Sequence, residues 1–176
     1  MDMNDESSKK VMAVLEERAR VLARPEEVAE RHEGIEVVVL VTGEERYGVE
    51  IHHVREVQPA PPPTPVPGVP DFWAGVVNVR GGLYPVLDLG RYMGSTAGRD
   101  DGMLVLVSAA GVSVALLVDD VSEAREIRTS DVRSPLGGGP DPKSRAIRGT
   151  TADLLSVLDL DALLSDPQLV VEKQAV

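Results

Sequence analysis

The chain has 176 residues, a formal net charge of −11 and no cysteine. That length suits one domain or two small fused ones, and it buries a core without cross-links. The missing cysteine excludes disulfides, thiolate zinc sites and cysteine nucleophiles, and the acidic balance disfavours nucleic acid and anionic lipid as partners.

Aromatic residues are 3% of the chain, so valine, leucine, isoleucine and alanine must build the core. Met1 to Lys10 is polar and charged, and no apolar run reaches the roughly 20 residues that span a bilayer. Neither a secretory signal nor membrane insertion is expected, and the sequence reads as cytoplasmic. Met12, Leu15, Ala19 and Leu22 recur at spacings of three and four, which predicts an amphipathic helix over 9–23 that ends before Pro25. A second helical turn is expected over Glu26 to Arg31.

From Ile35 the texture changes. Ile35 to Val41 is almost all β-branched or leucine and predicts a buried strand. Gly43-Glu44-Glu45 makes a turn, and Tyr47 to Ile51 alternates as a returning strand. Ile51, Val54 and Val57 are spaced by three, so one helical turn is expected between two strands. The stretch 59–70 holds seven prolines and reads as an ordered surface connection, because strong strand signals flank it. Val76 to Val79 and Leu83 to Leu87 are strands around the turn Arg80-Gly81-Gly82. Asp88 is placed to cap a short helix through Met93. Ser95 to Gly102 is a break. Strands are expected at Met103 to Ser108 and Val112 to Val118, then a Gly/Pro-rich loop over Ser134 to Ser144. Asp159 is placed to cap a last helix, Leu160 to Leu164, and the residues from Asp166 are expected to fray.

The two halves repeat each other. Ile51, Val54, Glu56 and Val57 match Val118, Val121, Glu123 and Ala124, 67 residues later. Val79-Arg80-Gly81 matches Ile147-Arg148-Gly149 at an offset of 68, and Val86-Leu87-Asp88-Leu89 matches Val157-Leu158-Asp159-Leu160 at 71. The growing offset implies a longer turn in the second copy and makes Arg148 the counterpart of Arg80. A mainly β fold of two small closed barrels side by side follows, since closure removes the free edges of valine-rich strands. A groove between two such bodies suits a protein partner or a small ligand.

No chemistry-bearing set stands out. Val118-Asp119-Asp120 is similar to the acidic start of a phosphoacceptor receiver, but too little chain follows it, and the repeat accounts for it. His52 and His53, adjacent in extended chain, would point to opposite faces and make a poor metal pair. No Gly-x-Ser-x-Gly elbow is present, and Gly137-Gly138-Gly139-Pro140 lacks the lysine and hydroxyl residue of a phosphate loop. No catalytic residue, cofactor or metal is therefore expected.

Several stretches together resemble the CheW family. They are Tyr47 to Val57, Thr64-Pro65-Val66-Pro67-Gly68-Val69-Pro70, Leu116-Leu117-Val118-Asp119-Asp120-Val121, and above all Gly75-Val76-Val77-Asn78-Val79-Arg80-Gly81-Gly82-Leu83-Tyr84-Pro85-Val86-Leu87-Asp88-Leu89. The last is similar to the family's G-V-x-N-L-R-G-x-x-x-P-V-x-D-L signature. Val79 stands for the usual leucine and Ala115 for a common glycine.

The resemblance covers roughly 35–165. It implies two five-stranded barrels, about 34–98 and 102–166 within a domain over 34–170, with strand exchange between them left open. Residues 1–33 would be a helical extension and 171–176 a tail. The resemblance also implies a non-catalytic adaptor that couples chemoreceptors to the regulatory domain of a CheA-type histidine kinase, with self-association in receptor arrays. Pili, gliding or development pathways are the alternative setting, and a small-ligand protein is the other class. Carried over position by position, the receptor-facing residues are Val54, Glu56, Gly75 and Arg80.

Overall fold

The computed structural model describes residues 34–95, 101–134 and 141–170. The expected N-terminal helices and the 171–176 tail lie outside these residues. Ten strands dominate the described chain. They are β1 Gly34–Thr42, β2 Glu45–Glu50, β3 Val54–Pro59, β4 Trp73–Val79, β5 Gly82–Asp88, β6 Met103–Ala109, β7 Val112–Val118, β8 Asp120–Arg128, β9 Ile147–Thr150 and β10 Leu155–Leu158. Three short helices join them, α1 Leu89–Met93, α2 Pro142–Arg145 and α3 Leu160–Leu164.

The strands form two five-stranded sheets. Sheet I has the order β8-β1-β2-β10-β9 and sheet II the order β3-β6-β7-β5-β4. Sheet II is built from the continuous stretch 54–118. Sheet I takes β1 and β2 from one end of the chain and β8 to β10 from the other.

The repeat is visible in the pairing register. Val38 faces Val49 across β1 and β2, and Val105 faces Leu116 across β6 and β7. Val38 faces Ala124 of β8, and Val105 faces Val57 of β3. Both outer strands carry a bulge at the same place, Arg55 in β3 and Ser122 in β8. Gly48 pairs Val157 in parallel, as Ala115 pairs Val86. Within each pair of ladders, the register reproduces the offset of 67 before the hairpins and 71 after them.

The register corrects one correspondence read from the sequence. Gly75 faces Val86 and Gly149 faces Val157, so Gly149 is the counterpart of Gly75, and Arg148 is not the counterpart of Arg80. Two Arg-Gly pairs happen to fall near equivalent places. The second hairpin does have the longer turn, Thr151 to Leu154 against the two residues Arg80 and Gly81, but it sits on shorter strands.

The sheets are not closed barrels. β8 and β9 share no ladder, nor do β3 and β4. Single bridges stand in their place, Thr64 with Val76 at the edge of β4 and Arg133 with Thr150 at the edge of β9. The cause in sheet II is the proline-rich connection that follows β3. Proline has no N–H to donate and cannot extend a ladder. Thr64 is the place where this connection exchanges both bonds with Val76, N–H to O at 2.8 Å and back at 2.9 Å.

Each sheet wraps a small core of its own. Val37, Val39, Leu155 and Val157 fill sheet I, and Val77, Val79, Val86, Leu104 and Leu117 fill sheet II. A larger shared core lies between the sheets, with Leu40, Val49, Leu87, Val105, Leu116 and Leu163 fully or nearly fully buried. Each such side chain contributes about 1.5–3 kcal/mol, so aliphatic residues suffice. Tyr92 is the exception among the largest buried side chains.

The two expected caps are in place. Asp88 Oδ1 accepts the Arg91 N–H at 2.9 Å, and Asp159 Oδ1 accepts the Ala162 N–H at 2.9 Å. Burial pushes the Asp88 carboxyl above its usual range, against the opposing pull of its bonds to Arg91. Asp88→Ala is expected to cost about 1 kcal/mol or more in a denaturant melt. Asp88→Asn keeps the cap acceptor and removes the buried charge, so it should cost less; equal losses would show that the cap does not matter.

Two local expectations differ from the structure. The helical turn after β2 spans only Ile51–His53, and Val54 and Val57 already belong to β3. Over Asp166 to Val170 the chain is not frayed. Asp166 is buried and caps the 3-10 turn Pro167–Leu169, its Oδ1 accepting the Gln168 N–H at 2.9 Å.

Candidate functional site

The site begins with β3 and the β4–β5 turn. Glu56 follows the Arg55 bulge on β3. Arg80 holds a positive φ of 49° in a two-residue turn, and Asn78 Oδ1 fixes that turn by accepting the Gly81 N–H at 2.9 Å. Arg80 Nε lies 3.0 Å from Glu56 Oε2 and 3.2 Å from Oε1. The Arg80 side chain is 81% exposed, so the ion pair contributes at most about 1 kcal/mol to stability. The pair orients the guanidinium and leaves most of its fork open to another acceptor.

Gly75 and Val54 lie apart from this pair. Gly75 has a φ of +138°, and a Cβ there would overlap the Thr64 carbonyl oxygen. The position therefore lets the proline-rich connection lie against β4. Val54 packs half-buried on the shared core and pairs with Val107. Among the four residues carried over from the sequence, the structure brings Glu56 and Arg80 into contact, sets Gly75 in a groove wall, and gives Val54 a core contact.

The groove has a volume of about 920 Å³. One wall is the Val66–Val69 connection with Trp73 and Val76, and another is Leu164 with Leu169 and Val170. None of its described lining residues is titratable. Trp73, the single tryptophan, packs on the shared core and also faces the groove.

The equivalent end of sheet I repeats the ion-pair arrangement with its charges reversed. There the strand supplies the cation and the turn the anion, with Arg125 Nη2 2.8 Å from Asp153 Oδ2 and Arg46 beside the same carboxylate. Thr151 Oγ1 donates to Asp153 Oδ1 at 2.6 Å. That bond, followed by Arg125, holds the Asp153 carboxyl down at about 2. Arg148 is engaged elsewhere, with Glu50 at 2.6 Å.

His52 and His53 lie in the 3-10 turn with their rings side by side, 4.0 Å between centroids and tilted by 40°. This differs from the opposed geometry that extended chain would give. His53 Nδ1 meets the Ser108 carbonyl at 2.9 Å, and no cluster able to hold a metal occurs among the described residues. No helix among them is long and apolar enough to cross a membrane.

With this geometry in view, residues 36–168 match the family model of the CheW-like domain. The chain belongs to the CheW-like family. Its CheW-like region is similar to the chemotaxis protein CheW of Rhizobium meliloti (strain 1021), 29% identical over 135 residues, 74% of this chain and 87% of that protein. It is also similar to the chemotaxis protein CheW of Klebsiella aerogenes, 26% identical over 155 residues, 85% and 93% of the two chains. Among solved structures, the scaffolding protein TtCheW from Thermoanaerobacter tengcongensis matches with a TM-score of 0.66 at 28% identity, covering 76% of this chain and 94% of that one.

Gly75 and Arg80 are candidates read from the CheW-like signature stretch. The groove's C-terminal wall is missed by that reading. Its sequence signal is slight: Asp166-Pro167, an N-cap followed by proline at the first helical position.

Proposed function

We propose that this CheW-like chain is a non-catalytic adaptor that couples chemoreceptors to a CheA-type histidine kinase in a chemotaxis-type signalling complex. The observation that carries this reading is the apolar groove beside Gly75. Its walls of valine, proline, leucine and tryptophan offer surface to another protein, and among the described lining residues no acid, base or nucleophile meets a substrate. Such a surface suits the apolar stripe of a helical hairpin, the form of a chemoreceptor tip. Arg80, aimed by Glu56, supplies a planar cation for a carboxylate of the same partner. Val54, Glu56, Gly75 and Arg80 are the proposed receptor-facing residues. The regulatory domain of the kinase, itself similar to CheW, is the proposed second partner.

The test is reconstitution. The full chain, a cytoplasmic receptor-tip fragment and the kinase regulatory domain are mixed and analysed by sedimentation. A ternary complex larger than either pair is expected. Binding to only one of the two would overturn the coupling role, and specific turnover of a metabolite by the chain alone would overturn the non-catalytic reading.

A further inference from the structure

The groove's C-terminal wall is a short segment, Ser165 to Val170, that belongs to neither sheet. Its fixation converges on one residue, Asp166. Asp166 Oδ2 accepts the Tyr92 O–H at 2.5 Å, and Oδ1 accepts the Gln168 N–H at 2.9 Å. The Asp166 backbone N–H donates to Leu163 O at 3.1 Å, and its carbonyl accepts the Leu169 N–H at 3.0 Å. Asp166 is 6% exposed and Tyr92 1%. A bond between a buried hydroxyl and a carboxylate belongs to the stronger class.

Tyr92 sits on α1, outside the groove lining, yet it touches both walls' supports. Its ring meets Phe72 edge-on at 5.6 Å, and Phe72 in turn contacts Trp73 at 6.1 Å. Its hydroxyl holds Asp166. One side chain thus touches the support of Trp73 in the opposite wall with its ring and bonds the C-terminal wall with its oxygen. Burial, followed by the Asp166 bond, raises the tyrosine's proton affinity, so the hydroxyl stays a donor throughout the ordinary pH range.

We propose that Tyr92 is a positioning residue that fixes the spacing of the groove walls through its hydrogen bond to Asp166, and so tunes affinity for the helical partner without touching it. This rests on the adaptor reading given above. An unpinned wall leaves Leu169 and Val170 in several arrangements, and only one of them matches an incoming helix. The partner must then select that fraction, and the apparent affinity falls in proportion.

The test uses the full chain and its Tyr92→Phe variant, which keeps the ring and removes only the pin. Hydrogen exchange at residues 166–170 is expected to quicken while that of β6 and β7 stays unchanged. Affinity for a receptor-tip fragment should fall about tenfold at a temperature well below melting, with affinity for the kinase regulatory domain unaltered. Asp166→Asn keeps the cap to Gln168 and turns the other bond round, its amide N–H donating to the Tyr92 oxygen in a weaker neutral bond, so it should move both readouts in the same direction and by less. Faster exchange at 166–170 with unchanged receptor affinity would overturn the positioning role. So would an equal loss for both partners, which marks general destabilisation. If the unaltered chain fails to bind the receptor fragment, it is the adaptor reading that falls, and the exchange measurement still decides whether the pin exists.

Discussion

Replacing Arg80 with glutamate is expected to weaken receptor binding by about 30-fold or more while the fold survives. The two effects separate because Arg80 is 81% exposed, although its partner Glu56 is largely buried. Within the chain, the substitution loses an ion pair that is exposed on the arginine side and sets two like charges side by side, together about 1–2 kcal/mol. At an interface, truncating one member of a charge-assisted contact costs about 2–5 kcal/mol, because the other member stays buried without its partner. The lower end of that range is the roughly 30-fold loss. A charge swap sharpens the test. Arg80→Glu combined with Glu56→Arg restores the internal pair with reversed polarity. If Arg80 only shapes the turn, the swap recovers receptor affinity. If Arg80 itself contacts the receptor, affinity stays low in the swap, and calorimetric titration reads the difference. Unchanged affinity in the single variant would remove Arg80 from the interface.

The largest stability effect is expected at Gly75. Gly75→Ala meets two penalties together. The backbone there has a φ of +138°, which side-chain-bearing residues rarely adopt, and the new methyl group would overlap the Thr64 carbonyl oxygen. Each costs on the order of 1–3 kcal/mol. A combined loss of about 3 kcal/mol corresponds to a fall in Tm of on the order of 10 °C. Two glycines serve as controls. Gly149 faces the same obstacle at Arg133 O without the positive φ, so Gly149→Ala should cost less. Gly43 has a φ of +59° and open space around its Cα, so Gly43→Ala should cost only about 1 kcal/mol. A loss at Gly75 no greater than at Gly43 would mean that the proline-rich connection yields freely and that the bridge to Val76 is not part of the stable fold.

Much of this fold is legible because its strands and caps carry local signals. The central strands β1, β6 and β7 are runs rich in valine and leucine, buried along most of their length, and each reads as a strand on its own. Asp88 and Asp159 announce their helices by cap chemistry alone. β8 carries no such signal. Its residues are mostly exposed, and only the internal repeat marks its place. Closure is misjudged from the sequence because ladder continuity depends on backbone donors at the two seams, and hydrophobic pattern is silent about those. The mismatch of Arg148 with Arg80 has a similar origin. A shared dipeptide reads as a shared position, whereas the ladder places Gly149 opposite Val157, where its missing side chain leaves room for the Arg133 carbonyl, as Gly75 does for Thr64. In the candidate site, Gly75 and Arg80 come from the signature stretch. Tyr92 and Asp166 cannot be joined in advance, since 74 residues separate them and neither lies on a repeated motif.

The unequal construction of the two sheets bears on how the molecule is made. All of sheet II lies within 54–118, so its contacts span short lengths of chain, and it can assemble as soon as that stretch has left the ribosome. Sheet I must wait. β8, made earlier, can already cover the flank of β1, but β2 finds its parallel neighbour β10 only when Leu155 to Val157 have been synthesised, and until then the other flank of the hairpin stays bare. Nascent chains of this protein are thus expected to pass through a half-assembled stage in which the backbone edge of β2 is open to chaperones or to wrong neighbours, and the last strands added are the ones that end it.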